Sequence, residues 1–304
     1  MEKKSMTALV SAFSRAYHSE NNIVKIFNDS VAKLLLSKQE YSQIEKSMAQ
    51  GIQFFKPGFR GSDADALRWI VDNQLSPSPL GRSAFCEQVL KNAVYLGVRQ
   101  YLIFAAGYDS FAYRLPEWAS QLQIFELDHP IVSTDKRNRI NSIFENKPDN
   151  LTYIPVDLTD TEIDKYLFTK TDFDRSKLSF CSLLGISYYI SKEKFKNLIR
   201  GISNMVDKGS SIIFDYPDQD TYTDKAEERT KKQVKMAGGA GETMLASYSY
   251  FDMEALLSDC GFLIYEHLEP KEITEQYFTE YNRANPQHIM SAFDNVNYCL
   301  AVRK

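Results

Sequence analysis

The stretch YLIFAAGYDSFAYRL, residues 101–115, contains a short apolar run that is followed at once by a turn of small residues. The apolar residues 101–104 predict a buried strand, which ends at Ala105-Ala106-Gly107. A second strand-like run, residues 124–127, ends at Asp128. Such a turn lets the backbone approach a ligand closely, and a carboxylate after the next strand can accept hydrogen bonds from both hydroxyls of a ribose. The pattern predicts the first half of a nucleotide-binding α/β unit.

The composition is that of a soluble globular protein. The chain has 304 residues, of which 43% are hydrophobic and 25% are charged. Its formal net charge of −4 argues against a nucleic-acid partner, because neutralising a phosphate backbone needs a clear basic surplus. No apolar run approaches the ~20 residues that cross a bilayer, and no signal-peptide stretch follows the first lysines. We therefore expect a cytoplasmic protein without a membrane partner.

The cysteines and the aromatic residues are both expected mainly in the core. The four cysteines lie far apart and none has CxxC spacing, which predicts reduced thiols and no metal site: Cys86, Cys181, Cys260 and Cys299. Most of the 18 tyrosines and 19 phenylalanines should pack in the interior. A minority of these rings could line a pocket for an apolar or aromatic small molecule.

The first 80 residues are predicted to form a helical cap. Apolar residues recur with helical spacing over residues 7–50 and about 63–73, with a loop over 51–61 between them. Pro77, Pro79 and Gly81 are expected to break the helix over about 63–73, and a separate helix is expected over 82–97.

Strands and helices alternate in residues 81–304, which predicts right-handed βαβ units and a parallel sheet. Two strands follow each other late in the chain, so the last one is expected to insert antiparallel. The predicted strands are 99–105, 122–128, 151–156, 178–184, 210–215, 262–268 and 298–302. The predicted helices are near 130–145, 161–169, 191–206, 251–260 and 271–283.

An insertion at about residues 217–247 interrupts this alternation. It is polar, carries a charge-dense run over 224–235 and ends in a glycine cluster at 238–241. The segment is expected to be either a solvated surface helix or a mobile lid over the site.

Four segments in this order resemble the leucine carboxyl methyltransferase family, whose bacterial members are similar to polyketide O-methyltransferases. They are IFAAGYDSFAYRL (103–115), FELDHP (125–130), Lys136 and PVDL (155–158). The resemblance covers the chain from about Ser14 to its end. It implies a class I fold, a Rossmann-like seven-stranded, mostly parallel sheet with the last strand antiparallel. It also implies S-adenosyl-L-methionine as the cofactor and S-adenosyl-L-homocysteine as the product.

The resemblance also implies roles for residues at the nucleotide end of this site. The turn Ala105-Ala106-Gly107 would hold the amino-acid part of the cofactor. Asp128 would bind the ribose hydroxyls through charge-assisted hydrogen bonds, and Asp157 and Leu158 would contact the adenine. As alternatives, Asp128 and Asp157 could each cap the helix that follows.

Two arginines are implied as further cofactor ligands. Arg82, in GRSAFCEQV, would pair with the cofactor carboxylate, a role that suits a planar two-pronged donor. Arg15, in FSRAYHS, would match a basic residue of the N-terminal helix. Arg82 could instead be a surface arginine, while Asp109 and Arg114 could form a structural ion pair or a helix cap.

The sequence departs from the family pattern at two positions. Ala105 stands where the family usually has glycine. Leu184, in SLLGISYYIS (182–191), stands where an acid normally faces the positive amino group of the cofactor. The loss of a buried charge-assisted hydrogen bond should weaken binding by ~1–3 kcal/mol unless a neighbouring group replaces it.

No catalytic base stands out in the sequence. The candidates are Tyr188 and Tyr189, after the fourth strand, and Tyr216, after the fifth, because open α/β sheets bind ligands at the carboxyl ends of their strands. Each ring could equally pack beneath the N-terminal helices.

The leading function is therefore an S-adenosylmethionine-dependent O-methyltransferase acting on a carboxylate or hydroxyl of a small molecule. A carboxyl methyltransferase acting on a protein C-terminus is the second hypothesis. A cofactor-binding protein with weak or no turnover is a third, motivated by Leu184. An NAD-dependent oxidoreductase is disfavoured, because a third glycine and a hydride-transfer site are both missing.

Overall fold

A seven-stranded sheet forms the centre of the protein in a computed structural model that describes residues 5–158, 163–239 and 241–304. The strands are β1 Gln100–Phe104, β2 Gln123–Asp128, β3 Leu151–Pro155, β4 Ser179–Leu183, β5 Ser211–Pro217, β6 Phe262–Leu268 and β7 Val296–Arg303. All seven lie where the sequence predicts them, with ends that differ by one or two residues.

The strand order is β3-β2-β1-β4-β5-β7-β6. The pairs among β1–β5 are parallel, whereas β7 runs antiparallel to both β5 and β6. The predicted antiparallel last strand is thus confirmed. The chain order reverses between β1 and β4, and open α/β sheets bind ligands at such a point, outside the carboxyl ends of the strands.

Twelve helices within the described residues surround the sheet. They are α1 Met6–Asn21, α2 Lys38–Gln50, α3 Ile52–Phe55, α4 Asp63–Ile70, α5 Pro77–Tyr95, α6 Pro130–Asn141, α7 Ile163–Lys170, α8 Lys192–Met205, α9 Glu228–Gly239, α10 Tyr250–Asp259, α11 Pro270–Ile273 and α12 Thr279–Ala284. Short π-helical turns, Val71–Leu75 and Thr274–Phe278, continue α4 and α11. The predicted start of α7 at residue 161 lies outside the described residues.

Helix α5 corrects the predicted break at Pro77, Pro79 and Gly81. The helix begins at Pro77 and contains all three residues. Proline is tolerated in a first turn because the N–H that it lacks has no partner inside the helix. Residue 80, the predicted end of the cap, therefore lies inside a continuous helix. The predicted loop over 51–61 also contains one helical turn, α3.

The core has three parts, which follow the alternation of side chains along the strands. One sheet face packs Ile103 and Ile124 against α5 and the segment 270–284. The other packs Phe104 and Phe125 against α8 and α10. A third cluster lies among α1, α2 and α4 and includes Phe13. The four cysteines are buried and free.

The insertion after β5 contains α9, which is fixed to two parts of the molecule. Arg229 donates to the carbonyl oxygen of Asn73 at 2.7 Å and lies over the ring of Phe293. The buried hydroxyl of Thr230 donates to the side chain of Asn295 at 2.9 Å. These contacts dock α9 against both the cap and the segment before β7. Among the described helices, none has the length and apolar character needed to cross a membrane.

His18 provides a pH test of the cap. The ring is fully buried in α1, and its Nε2 accepts the backbone N–H of Ile26 at 3.0 Å. Burial, followed by the positive charges of Arg68 and Lys25, lowers the pKa of His18 to about 3. Below about pH 6.5 His18 therefore becomes protonated in the unfolded chain, whereas its ring stays neutral in the folded protein until the pH falls to about 3.

We expect the free energy of unfolding to fall as the pH drops from about 6.5, by up to about 1.4 kcal/mol per pH unit from this group. Urea unfolding at several pH values measures it. His18→Gln should show a shallower pH dependence over pH 4–6.5 than the unmodified protein. Equal slopes for the two proteins would contradict the assignment.

Candidate functional site

A cavity of about 500 Å³ lies at the carboxyl ends of β1, β2 and β4. Its walls come from α1, α5, the turns after β1 and β4, and the insertion segment 241–244. The cavity therefore lies where the sheet order reverses, and both the cap and the insertion contribute to its walls. Nine of the twelve predicted site residues line it: Arg15, Arg82, Ala105, Ala106, Gly107, Asp128, Leu184, Tyr188 and Tyr189.

The turn after β1 has a left-handed backbone at two positions, Ala105 with φ 51° and Gly107 with φ 52°. Glycine adopts this conformation freely, whereas alanine is strained there by about 1 kcal/mol. Alanine in place of the usual glycine at position 105 therefore costs free energy of folding, in a turn that lines the cavity. Gly107 also lies close to α1, because a Cβ there would be 3.5 Å from that of Ala8.

Asp128 ties this turn to the end of β2. Its Oδ2 accepts the N–H of Gly107 at 2.5 Å, and its Oδ1 accepts the N–H of His129 at 2.6 Å. Burial raises the pKa of Asp128, while these two N–H donors act in the opposite direction. The residue that caps α6 is His129, whose ring accepts from Ile131 N–H, so the alternative reading of Asp128 as a helix cap is wrong.

A buried ion pair lies behind Asp128. Glu126 faces the same side of β2 as Asp128, and its Oε2 accepts from Lys136 Nζ at 2.5 Å. Burial raises the pKa of Glu126 to about 7 despite Lys136. The positive charge of Lys136 also acts to lower the pKa of Asp128. Lys136 is thus linked electrostatically to the nucleotide end of the cavity.

Arg82 enters the cavity from α5 and forms an ion pair with Asp215 of β5, at 3.3 Å between Nη1 and Oδ2. The fully buried Asp215 also accepts from Gly185 N–H at 2.6 Å and from the hydroxyl of Tyr188 at 3.1 Å. Burial acts to lower the pKa of Arg82, but Asp215, together with Tyr188 and Tyr298, outweighs it and the pKa is raised. Asp215 therefore positions both Arg82 and the turn after β4.

Arg15 of α1 also reaches the cavity, with three partners. Its Nε donates to Asp29 Oδ2 at 2.9 Å, and its Nη1 donates to the hydroxyl of Ser11 at 2.9 Å. Its Nη2 donates to the carbonyl oxygen of Tyr108 at 2.7 Å. Arg15 thereby holds α1 against the turn that follows β1.

Tyr188 and Tyr189 line the cavity as predicted, but neither ring is ready to act as a base. Burial, followed by the charge of Asp215, raises the pKa of Tyr188 well above its usual value. Burial raises the pKa of Tyr189 to about 12, with Glu242 contributing in the same direction. Both phenols are therefore protonated at neutral pH.

Three predicted residues lie outside this cavity. Tyr216 points to the opposite face of β5 from Asp215, and its hydroxyl bonds His267 Nε2 at 2.7 Å, so its predicted position near the methyl group is wrong. Asp157 and Leu158 follow β3, whose end is joined to Asp128 by Val156 N–H at 2.8 Å. Their adenine contact stays a prediction. The alternative reading of Asp157 as a cap concerns residues 159–162, outside the described part.

The carboxylate and arginine of the YDSFAYRL segment have separate structural roles. Asp109 Oδ1 accepts the N–H of Phe111 at 2.8 Å. Arg114 forms ion pairs with Glu87 and Asp29, not with Asp109. Asp109 and Arg114 therefore do not pair with each other, and the N-cap of the 3₁₀ turn Phe111–Tyr113 is Ser110 rather than Asp109.

Sequence reasoning missed two carboxylates, Glu242, which lines the cavity, and Asp215, which holds Arg82 from outside the lining. Asp215 interrupts an apolar strand, SIIFDYP, and a single acid inside a buried run was the available signal. Glu242 lies in the insertion and lines the cavity, but no local pattern distinguishes it from the other charges of that segment.

Comparisons with known proteins agree with this architecture. The family model of leucine carboxyl methyltransferase matches residues 8–203. YktD of Bacillus subtilis (strain 168), whose name assigns it provisionally to the S-adenosyl-L-methionine-dependent methyltransferases, is 39% identical, and the match covers 99% of each chain.

Two solved structures share the fold at low sequence identity. A DUF574 family protein from Streptomyces avermitilis MA-4680 has a TM-score of 0.59 at 10% identity, covering 97% of each chain. A protein from Thermobifida fusca YX, described provisionally as a methyltransferase, has a TM-score of 0.51 at 14% identity, covering 99% of this chain and 96% of that one. These two likenesses bear on the fold alone.

Gly185 tests how tightly Arg82 is seated. Its φ is +71°, and a Cβ there would lie 2.8 Å from Arg82 Cζ. Gly185→Ala should strain the backbone by ~1–2 kcal/mol and displace the guanidinium from Asp215. We expect urea unfolding to show a loss of at least about 1 kcal/mol.

Gly201→Ala is the matched control, because Gly201 lies in α8 and a Cβ there meets no atom within 4 Å. This change should stabilise the protein by about 0.5–1 kcal/mol through helix propensity. A Gly185→Ala protein as stable as the unmodified one would contradict the packing described for Arg82.

Proposed function

The chain belongs to the leucine carboxyl methyltransferase family, and we propose that it is an O-methyltransferase acting on a small molecule. In this proposal it transfers a methyl group from S-adenosyl-L-methionine to a carboxylate or hydroxyl oxygen. The observation that carries the proposal is the cavity at the sheet reversal, with Asp128 hydrogen-bonded to the turn after β1.

The coarser class rests on the comparisons. The family model spans more than half of the chain, and the relative that is 39% identical over nearly its full length is named for S-adenosyl-L-methionine-dependent methyl transfer. The cofactor is accordingly S-adenosyl-L-methionine. The oxygen acceptor and its small size are the finer parts of the proposal.

The residues at the cavity fit this cofactor chemically. Gly107 leaves room beside its backbone, and Asp128 retains lone pairs for two ribose hydroxyls after accepting two N–H groups. Arg82 and Arg15 are planar donors for a carboxylate, and each is already oriented by a buried aspartate. An adenine would lie beyond Asp128, toward the end of β3.

When bound, the cofactor would supply a methyl group on a sulfonium sulfur: the acceptor oxygen would attack the methyl carbon in line, and the carbon–sulfur bond would break to leave S-adenosylhomocysteine. The protein then has to position the two reactants and exclude water. Alignment of this kind can supply a large part of the reduction in activation free energy. Helix α1 and the segment 241–244 form part of the cavity wall, where they can help to exclude water from a bound ligand. The Asp215 contacts hold Arg82 and the turn after β4 in one arrangement.

The chemistry of the lining favours an acceptor oxygen that ionises easily. A carboxylate needs no general base, whereas an ordinary hydroxyl usually does. Because Tyr188 and Tyr189 are protonated at neutral pH, neither supplies a phenolate base. A carboxylic acid, a phenol or an enol is therefore the acceptor class that we propose.

The alternative functions fit less well. Methylation of a protein C-terminus needs an open groove for a chain, whereas this cavity has walls from α1 and the insertion in addition to the sheet. NAD-dependent oxidoreductases usually have the parallel strand order 3-2-1-4-5-6, whereas β7 is antiparallel and lies between β5 and β6 here. A binding protein without turnover remains as a distinct experimental outcome, since Leu184 places no charge in the cavity.

Calorimetry tests the cofactor. We expect S-adenosylmethionine and S-adenosylhomocysteine to bind and NAD not to bind. Asp128→Asn should weaken S-adenosylhomocysteine binding about 10- to 100-fold, because hydrogen bonds to a charged group contribute ~1.5–3 kcal/mol. Asp259→Asn, which changes an exposed aspartate on α10, is the matched control with unchanged affinity. Failure of both sulfur nucleosides to bind would overturn the proposal.

A second experiment identifies the acceptor class. The protein is incubated with cofactor labelled in the methyl group and with panels of carboxylic acids, phenols, enols and amines. We expect label in esters, which alkali hydrolyses, or in ethers, which it does not. Peptides with a free C-terminal carboxylate form a separate arm. Label on nitrogen or carbon alone, or on peptides alone, would refute the small-molecule O-methyltransferase.

A further inference from the structure

Negatively charged side chains are in excess around the cavity when the arginines that are already paired with aspartates are set aside. Arg15 and Arg82 are each paired with a buried aspartate outside the lining, Asp29 and Asp215. Within the described lining, three further carboxylates remain: Asp109, Asp128 and Glu242. The cavity therefore has a surplus of negative charge, which suits a ligand with net positive charge.

The carboxylate of Glu242 lies at the N-terminus of α1. Its Oε1 accepts from the hydroxyl of Ser5 and from Met6 N–H, both at 3.1 Å. Its Oε2 accepts from the hydroxyl of Thr7. A negative charge is favoured at this position by the helix dipole, and Oε2 keeps a lone pair for another donor within the described surroundings.

This end of α1 lies against the turn after β1. Ala8, which follows Thr7, approaches Gly107 so closely that a Cβ there would be 3.5 Å away. Glu242 also lies near Tyr189, whose pKa it acts to raise. The carboxylate therefore lies in the part of the cavity wall where the start of α1 and the region of Tyr189 are close, and Leu184 of the same wall contributes no charge.

The segment that carries Glu242 is fixed at both sides of the cavity. Glu242 holds it to α1, and Leu245 N–H donates to the carbonyl oxygen of Tyr188 at 2.6 Å. Further along, the hydroxyl of Tyr222 donates to Ala246 O at 3.1 Å. The segment 241–246 thus forms a strap across the cavity, with Glu242 on its inner side.

We propose that Glu242 is the carboxylate that receives the ammonium group of the cofactor's amino-acid part, which makes the strap a component of the binding site. The inference rests on the proposed function, since it needs a ligand with an α-amino acid. A carboxylate already held by α1 forms a charge-assisted hydrogen bond without further ordering of its side chain. The strap is therefore closed most firmly when the ligand is bound.

Calorimetry with two ligands isolates this contact. S-adenosylhomocysteine carries the ammonium group, whereas 5′-methylthioadenosine has the same nucleoside and no amino acid. Glu242→Gln should weaken S-adenosylhomocysteine binding about tenfold or more. The affinity for 5′-methylthioadenosine should change less than about twofold, because that ligand makes no contact with the carboxylate.

Glu228→Gln is the matched control, because Glu228 lies on α9 of the same insertion, is exposed and does not line the cavity. It should leave both affinities unchanged.

Equal losses for the two ligands with Glu242→Gln would show that the residue acts only through the strap and would overturn the proposal. Tighter S-adenosylhomocysteine binding would also overturn it. If the unmodified protein binds 5′-methylthioadenosine but not S-adenosylhomocysteine, the proposal fails; if it binds no sulfur nucleoside, the proposed function fails with it.

Discussion

The hydrogen bond from Gly107 N–H to Asp128 is the interaction on which the site depends. It joins the turn after β1 to the end of β2, at the place where the sheet order reverses. The left-handed backbone at Ala105 and Gly107 directs the N–H toward that carboxylate. Arg15 then fixes α1 to the same turn through Tyr108 O. This hydrogen bond and the Arg15 contact together fix the positions of the β1 turn, the end of β2 and α1, which all line the cavity.

The fold could be predicted because its signals are local. Each strand is a short apolar run bounded by turn residues, and each run becomes one strand of the sheet. The antiparallel last strand follows from two strands late in the chain. The turn at Ala105–Gly107 and the carboxylate Asp128 were found for the same reason, since a nucleotide-binding turn leaves a contiguous pattern.

The errors arose where the outcome depends on distant partners or on a residue's place within a helix. Pro77 and Pro79 end a helix in most sequences but fit the first turn of α5, so they mark its start. Tyr216 lies one residue after Asp215, and alternation along β5 sends its ring to the opposite face. Glu242 contacts the start of α1, which is far away in the sequence, so no local pattern could indicate its position. The adenine contacts of Asp157 and Leu158 stay predictions.

Helix α5 has a mechanical consequence for how the cap can move. One continuous helix runs from Pro77 to Tyr95, across the predicted boundary between cap and sheet at residue 80, so these described residues contain no loop that could serve as a hinge. A continuous helix of this length is expected to move as one unit with the sheet, including its first turn at Pro77. The adjacent π-helical turn Val71–Leu75, closed by Ser76 N–H to Val71 O, is the nearest point of lower regularity. If the cap moves relative to the sheet, the bending is expected in segments before residue 77 rather than within this helix.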